Sequence, residues 1–193
     1  EAITRKRAVA TPLVVNRMFQ LQHGRLSIRP IMKKDAPVLF NWRNRASFLA
    51  NCTHRPTIRT LSDFTKELHT DFQRDRLNQG LICLRGTIYS YGYHENDAYC
   101  YLTIFIDEHW QKSGLGLKAF LLFTEYHFNE YQLYKIYADI YEDNIGSRGL
   151  FERLDIPLEG CFKQQHRVGN IRRDVLRFAI YEKDLQRTLH YLS

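Results

Sequence analysis

The alternation of apolar and polar positions predicts short strands interrupted by amphipathic helices. Runs rich in β-branched and aromatic residues are typical of strands, and apolar residues three and four positions apart are typical of helices. The strands predicted in this way are Leu81–Leu84, Thr87–Tyr93, Ala98–Ile106 and Leu133–Ile140. The helices are Leu61–Leu77 and Leu117–Phe128.

Turn residues indicate how these strands connect. The sequence breaks at Arg85-Gly86 and at His94–Asp97, and both have typical turn compositions. The strands on either side should therefore form an antiparallel meander. The helix Leu117–Phe128 then joins Ala98–Ile106 to the next strand, and a helical crossover of this kind places two strands parallel in one sheet. We expect a mixed sheet.

The most informative segment is Gln111–Gly116, which follows a predicted strand and opens a predicted helix. Gly114 and Gly116 allow backbone dihedrals closed to other residues and a close approach by a ligand. Free N–H groups at a helix start attract anions, so the turn is suited to a pyrophosphate. The alternative interpretation is a strand-to-helix connection whose glycines only make the turn.

This hexapeptide matches Gln/Arg-x-x-Gly-x-Gly/Ala, the motif of the GNAT superfamily of acyl-CoA N-acyltransferases. The chain resembles that superfamily over most of Leu26–Leu185. The other segments that resemble its elements are a first strand and helix at Leu26–Pro30 and Asp35–Asn44, an asparagine and helix at Asn144 and Leu150–Leu154, and two closing strands at Leu158–Lys163 and Asp174–Ile180. The closing strands are most similar to the ribosomal-protein and amino-sugar acetyltransferase branch.

The resemblance implies an α/β (α+β) fold, with a mixed, mostly antiparallel sheet of six to seven strands flanked by helices. Its central parallel pair is expected to be splayed. We expect an N-terminal extension over residues 1–25 and a single GNAT-like domain over residues 26–193. A length of 193 residues fits one domain, and no segment rich in Pro, Gly or Ser divides it.

The resemblance also implies acetyl-CoA as the acyl donor, bound where the parallel strands part. Its pantetheine arm would pair with exposed backbone of the first of these strands, and its pyrophosphate would lie in the glycine turn. The residues predicted to bind it are Ile104, Phe105, Ile106, Gln111, Lys112, Ser113, Gly114, Leu115, Gly116, Leu117, Asn144 and Phe151, with Lys118 a further candidate. Asn144 is equally suited to capping the next helix, and both roles can coexist.

Acyl transfer needs an uncharged amine and a proton for the departing sulfur. Phe151 stands where many superfamily members carry the tyrosine that protonates the sulfur, and phenylalanine has no hydroxyl. Water or a nearby tyrosine, such as Tyr101 or Tyr141, would have to serve. The candidate bases are Glu95, Asp107, Glu108, His109, Asp139 and Glu142. From these groups we predict Asp107, Glu108 and Tyr141 as catalytic residues, against the alternative of ordinary solvated positions.

The net charge of +7 favours polyanionic partners, whether nucleic acid or cofactor phosphates. Arg167, Arg172 and Arg173 crowd a predicted hairpin turn and are predicted to bind the acceptor substrate. The acceptor is expected to be a primary amine, either a peptide α-amine or an amine of a sugar or small metabolite. Nucleic-acid binding is an alternative, although no RNP, KH or zinc-finger pattern supports it.

The remaining composition limits the cofactors and compartments. Four cysteines without a Cys-x-x-Cys and eight histidines without ligand spacing predict neither metal nor disulfide framework, and they favour the cytoplasm. The longest apolar run, Ala119–Phe123, is too short to cross a bilayer. An exposed sheet edge would offer a homodimer surface.

We thus expect a CoA-dependent N-acetyltransferase that acts by direct transfer in a ternary complex. A non-catalytic CoA-binding module of the same fold is the alternative.

Overall fold

The computed structural model describes residues 19–52, 60–71, 79–168 and 170–192. The strands in these ranges are β1 (Leu21–His23), β2 (Leu26–Pro30), β3 (Gln79–Ile82), β4 (Gly86–His94), β5 (Tyr99–Ile106), β6 (Lys135–Tyr141), β7 (Leu158–Val168) and β8 (Ile171–Tyr181). The α-helices are α1 (Ala36–Arg43), α2 (Ala46–Asn51), α3 (Leu61–Asp71), α4 (Leu115–Tyr131), α5 (Ile145–Arg153) and α6 (Glu182–Thr188).

All the described strands belong to one sheet, in the order β1-β2-β3-β4-β5-β6-β8-β7. Each neighbouring pair is antiparallel except β5 and β6, which run parallel. The predicted mixed, mostly antiparallel sheet is therefore confirmed, with β1 as an additional edge strand. Its three residues are too few to show an alternation, which is why the pattern did not predict it.

The parallel pair is splayed, as predicted. β5 and β6 pair only from Tyr99↔Lys135 to Tyr101↔Tyr137. Beyond that point β5 continues to Ile106 alongside β4, and β6 continues to Tyr141 alongside β8. The backbone of β5 after Tyr101 therefore faces a gap instead of a neighbouring strand.

Helices cover the two faces of the sheet unequally. Leu81 and Ile82 are adjacent on β3, point to opposite faces and belong to different buried clusters. The larger cluster packs the sheet against α4, whose Phe120 and Phe123 are almost fully buried. The smaller cluster packs the other face against α1–α3, mainly through Trp42, Phe48 and Leu68. The glycine turn and the splayed gap lie between these layers.

Several predicted boundaries moved. The strand predicted at Leu81–Leu84 is β3, which ends at Ile82 because Ile82 already pairs with Gly86 across a tight turn. Cys83 and Leu84 occupy that turn with φ of +46° and +56°. Of the helix predicted at Leu61–Leu77, the part after Asp71 lies outside the described residues.

Part of the predicted N-terminal extension belongs to the sheet layer. Phe19 is 6% exposed in the larger cluster and packs on Phe123 and Tyr126. β1 pairs with β2 along its whole length. Residues 1–18 lie outside the described residues, so the division at residue 26 stays a prediction. No helix in the described ranges combines the length and apolar character needed to cross a membrane.

Candidate active site

The turn between β5 and α4 has the geometry that phosphate binding needs. Gly114 precedes the first residue of α4 with φ of +82°, a left-handed conformation that other residues rarely adopt. A Cβ on Gly114 would meet no atom within 4 Å, so the space beside the turn is open. The first N–H groups of a helix have no partner inside it. The start of α4 can therefore receive an anion from the open side.

Side-chain hydrogen bonds hold this turn against the end of β5. Gln111 Nε2 donates to Ile106 O at 3.0 Å, and Ser113 Oγ donates to Trp110 O at 2.6 Å. The structure thus brings together the predicted donor residues of β5 and the turn, which are Ile104, Phe105, Ile106, Gln111, Lys112, Ser113, Gly114, Leu115, Gly116 and Leu117. Lys118 is engaged elsewhere, since its Nζ donates to Leu192 O at 3.3 Å.

A cavity of 870 Å³ occupies the gap between the parted strands. On the α4 face it is lined by Leu102, Ile104, Phe120, Ala138, Ile140, Asn144, Ser147 and Phe151. On the opposite face it is lined by Tyr89, Tyr91, Thr103, Asp139, Tyr141, Gln165, His166 and Val175, and it reaches Trp42, Arg43, Phe48, Asn51 and Cys52. The gap therefore joins the two faces of the sheet.

Asn144 lies where both of its predicted roles, capping α5 and binding the donor, are available to it. Its Oδ1 accepts a hydrogen bond from Ser147 N at 3.1 Å, which makes Asn144 the N-cap of α5. The same residue lines the cavity. Capping by the side-chain oxygen is thus observed, and donor binding by Asn144 stays a prediction.

Phe151 lies deep in the wall of the cavity. It is 3% exposed, with its ring 5.2 Å from that of Phe120 and 5.0 Å from that of Phe178. No hydroxyl is available at this position. Ser147, one turn earlier on α5, also lines the cavity and carries one.

Asp107 is bound by donors from three directions. Trp42 Nε1 donates at 2.7 Å, Arg45 pairs at 2.8 Å, and His109 contacts it through its backbone N at 3.1 Å and its ring at 2.9 Å. Burial alone would raise the pKa of Asp107, but these hydrogen bonds outweigh it and hold the pKa far below its usual range. Such a carboxylate is a weak proton acceptor. Its contacts instead fasten the segment joining α1 and α2 to the end of β5.

The other predicted bases are spread around the sheet. Glu108 is exposed in a short 3₁₀ turn, and Glu95 is exposed in the β4–β5 turn. Glu142 accepts a hydrogen bond from Asp174 N at 2.9 Å. Asp139 lines the cavity, but both of its oxygens are 2.8 Å from the guanidinium of Arg177.

Tyr141 lies where β6 ends, and two cationic or aromatic side chains contact it. The His166 ring is parallel to it, 4.2 Å away and 8° out of plane, and the Arg173 guanidinium lies 4.4 Å from its centroid. Burial raises the pKa of Tyr141 to about 12, although Arg173 opposes the shift. At neutral pH the phenol keeps its proton, so it can donate a hydrogen bond but not act as a base.

The structure separates the three predicted acceptor-binding arginines. Arg167 and Arg172 are exposed cross-strand partners near the tip of the β7–β8 hairpin. Arg173 points to the other face of the hairpin, where it pairs with both oxygens of Asp143 at 2.8 Å and donates to Ala50 O at 2.8 Å. Arg173 therefore supports the cavity wall, while Arg167 and Arg172 lie outside it.

Comparison with known families decides the classification. The model of the acetyltransferase (GNAT) domain matches residues 25–156, more than half of the chain. The chain belongs to the GNAT acetyltransferase family. A comparison of this GNAT chain with curated protein sequences finds no match.

Solved structures with the same fold cover nearly the whole GNAT chain. The ribosomal L7/L12 α-N-protein acetyltransferase RimL aligns at a TM-score of 0.74 and 19% identity, over 85% of this chain and 94% of its own. Spermidine N-acetyltransferase from Vibrio cholerae, in complex with CoA and spermine, aligns at 0.76 and 18%, over 84% and 98%. A GNAT-family acetyltransferase from Bacillus anthracis aligns at 0.72 and 20%, over 86% and 99%.

Several residues in and around the GNAT chain's cavity were not among the predicted site residues. His166, Ser147 and Tyr91 line it without belonging to the recognised motif. Arg177, also missed, is held by Asp139 and lies over the rings of Tyr101, Tyr137 and Phe162 at 4.7 to 5.2 Å. Only the side-chain alternation along β6 and β8 could have indicated that their odd-numbered residues share this face. In the described residues, no group of three or more His, Cys, Asp or Glu could hold a metal ion.

Proposed function

We propose that this GNAT chain transfers an acetyl group from acetyl-CoA directly to a primary amine, with both substrates bound at once. The observation that carries this proposal is the cavity through the β5–β6 gap, which is lined by residues from both faces of the sheet. A donor held on one side of the gap and an amine entering from the other would meet inside it. Direct transfer requires this arrangement, since it holds the two reactants together without a covalent intermediate on the protein.

The residues present fit CoA. The open space at Gly114 and the start of α4 suit the pyrophosphate, and the unpaired edge of β5 from Leu102 to Ile106 offers peptide groups to the pantetheine arm. Asn144 and Phe151 would contact the arm from α5. When bound, acetyl-CoA supplies an activated acetyl thioester.

The chain's own groups would do the remaining work. Cys52, the cysteine that lines the cavity, has a pKa raised to about 12 by burial, so it is a thiol and not a nucleophile. This supports direct transfer. Ser147 and Tyr141 line the cavity, and their hydroxyls are candidates for the proton donor that Phe151 cannot be. A CoA thiolate is a tolerable leaving group, because the pKa of a thiol in solution is about 8.5.

Two acceptor classes remain: a peptide α-amine and a small-molecule amine. The solved relatives support both, since RimL acts on a ribosomal protein and the spermidine acetyltransferase is bound to spermine. Arg167 and Arg172 at the hairpin tip would favour an acceptor with acidic groups away from its amine. We assign the reaction to the cytoplasm, which suits the four free cysteines.

The first experiment measures thermal unfolding with and without saturating acetyl-CoA, for the parent, Gly114→Asp and Gly24→Asp. Gly24 is a matched control, because it also has a positive φ (+55°) and open space but lies in the β1–β2 turn. Ligand at 100 times its Kd stabilises by about 2.7 kcal/mol, which should raise the Tm of the parent and of Gly24→Asp by about 5–10 °C. Gly114→Asp should lose the shift, because its carboxylate would repel the pyrophosphate.

Release of CoA thiol is then followed with three amines: spermidine, a peptide with a free N-terminal serine, and glucosamine. Turnover with one of them would support the enzyme. A Tm shift without turnover on any amine would favour the non-catalytic CoA-binding module. An unchanged Tm in the parent would contradict the donor site, and RNA affinity that falls steeply with salt would then favour nucleic-acid binding.

A further inference from the structure

A buried histidine outside the recognised motif lies in the cavity wall. His166 is 8% exposed and is the histidine that lines the cavity among the described residues. It lies on β7, which is separated from the glycine turn in sequence by α4, β6 and α5. Its ring lies flat on Tyr141, at the mouth of the β5–β6 gap.

An irregularity in β7 brings this residue to that position. Between Phe162↔Val175 and His166↔Arg173, β7 advances four residues while β8 advances two. Gln164 lies in this bulge with φ of +51°, which is uncommon for a residue other than glycine. A bulge bends its strand and redirects the side chains that follow, and it occurs often beside active sites.

Asp174 holds the bulge in place. Its Oδ1 accepts from Gln164 N at 2.8 Å and its Oδ2 accepts from Lys163 Nζ at 2.6 Å. Arg172 donates to Gln164 O at 3.0 Å. Three hydrogen bonds therefore compensate a locally unfavourable backbone, and their result is an imidazole enclosed in the cavity.

Two of the other titratable groups that line the cavity are less suited to accept a proton, and a third, Glu67, comes from a helix instead of the sheet. Asp139 is bound at both oxygens by Arg177, and Tyr141 keeps its own proton at neutral pH. Glu67 lies on α3, which packs against α1. An imidazole, by contrast, changes protonation near neutral pH, as a general base must.

Charged and titratable residues of the neighbouring strands surround the position of His166. Arg173 of β8 is its cross-strand partner, and Tyr141 of β6 faces its ring. Asp143 pairs with Arg173. Tyr141, His166 and Arg173 belong to the same face of β6, β7 and β8, on which the His166 ring meets Tyr141.

We propose that His166 is the general base that takes the proton from the acceptor amine. This inference rests on the proposed acetyl transfer. The amine nitrogen forms a bond to the acetyl carbon, the carbon–sulfur bond breaks, and the proton released by the nitrogen passes to His166. The thiolate takes a proton from solvent or a cavity hydroxyl, and His166 later returns its proton to solvent. The net products are the N-acetylated amine and CoA thiol.

The test compares His166→Gln and His166→Phe with the parent and with His69→Gln, a control at an exposed histidine on α3. Neither His166 variant can accept a proton, but phenylalanine keeps a flat ring against Tyr141. Acetylation of spermidine, the N-terminal-serine peptide and glucosamine is measured from pH 6 to 10, with the acetyl-CoA Tm shift recorded for each variant.

Both His166 variants should lose about 100-fold in kcat at neutral pH, because a general base typically contributes at least this much to the rate. The acid limb of the kcat profile should disappear, and the deficit should narrow at high pH as the amine loses its proton unaided. KM for acetyl-CoA and the Tm shift should not change. His69→Gln should match the parent.

Three results would overturn the inference. A kcat within about threefold of the parent in His166→Phe would make the histidine a packing residue, since general bases contribute far more than this. An unchanged pH profile in both variants would do the same. If the parent shows the acetyl-CoA shift but acetylates none of the amines, the role of His166 falls while donor binding stands. Absence of the shift in the parent would instead contradict the proposed function itself.

Discussion

The two sides of the cavity are built from different parts of the polypeptide. The side proposed to bind the donor, called the donor side here, consists of the unpaired edge of β5 and the N-cap of α5, with the glycine turn following β5, and most of it is backbone. The side proposed to bind the acceptor, called the acceptor side here, consists of Tyr141, His166 and Arg173, with the α1–α2 segment behind them, and it depends on side chains. Backbone groups are present whatever residue stands there, whereas a side-chain site needs particular residues from distant segments.

The two sides therefore differ in which structural changes would damage them. The donor side requires a few glycines and a strand that stops pairing, and two of its parts, β5 and the glycine turn, follow each other directly in the sequence. The acceptor side requires β6, β7, β8 and α2 to be correctly placed at once. We therefore expect changes far from the cavity to damage the acceptor side first.

The largest expected effect is at Asp107, which joins the two sides. Asp107→Ala removes the partner of Arg45 and Trp42 and should destabilise the fold by about 4 kcal/mol, because a largely buried ion pair loses one member. Urea unfolding measures the loss. Glu108→Ala, at the exposed neighbouring position, should stay within about 0.5 kcal/mol of the parent.

The same variant also tests the sequence-based role of Asp107. The acetyl-CoA Tm shift should survive in Asp107→Ala, since the glycine turn keeps its own hydrogen bonds. If stability is unchanged but kcat collapses at constant KM for acetyl-CoA, Asp107 is the base predicted from the sequence, and the two sides do not differ as described.

The second effect is acid destabilisation through the helix that carries the glycine turn. His127 on α4 is fully buried, with its ring 2.8 Å from Ser90 Oγ and from Phe123 O. Burial lowers its pKa from 6.5 to about 4. As the pH falls from 6.5 to 4, the unfolded chain takes up a proton that the folded chain refuses, so stability should drop by about 3 kcal/mol.

The carboxylates of the acceptor side should respond only in stronger acid. The hydrogen bond from Lys163 lowers the pKa of Asp174, so its contribution is lost only below its unfolded value of 3.8. Urea midpoints measured from pH 7 down to about pH 2 separate the two ranges, since the His127 loss falls between pH 6.5 and 4 and the Asp174 loss falls below 3.8. His69→Gln should follow the parent curve, whereas His127→Gln should start less stable and flatten between pH 6.5 and 4. A parent curve that is already flat there would show that His127 does not control acid stability.

The smallest effect is expected at the hairpin tip. Arg167→Glu reverses an exposed charge outside the cavity and should raise KM for an acidic acceptor about threefold, with KM for acetyl-CoA unchanged, because exposed charges are screened by solvent. Arg25→Glu, an exposed charge reversal at the opposite sheet edge, is the control. If the hairpin-tip variant and Arg25→Glu raise KM for the acceptor equally, the effect comes from the net charge of the protein and not from the hairpin tip.

Local sequence determined the donor side and the sheet that carries it. The strand alternation, the turns and the Gln111–Gly116 motif are short-range features, and they predicted the meander, the parallel crossover and the glycine turn at the start of α4. Dihedral preferences and alternation act between neighbouring residues, which is why a linear pattern displays them.

The arrangement of the acceptor side depends on contacts between segments that are distant in the sequence. Asp107 meets Trp42 across 65 positions, and this is one of the contacts that hold the pKa of the predicted base far below its usual range. The bulge at Gln164 places His166 over Tyr141, and adjacent residues Arg172 and Arg173 separate onto opposite faces. The chemistry of an ionisable side chain depends on which partners and how much water surround it, and folding sets both by joining segments that are distant in sequence.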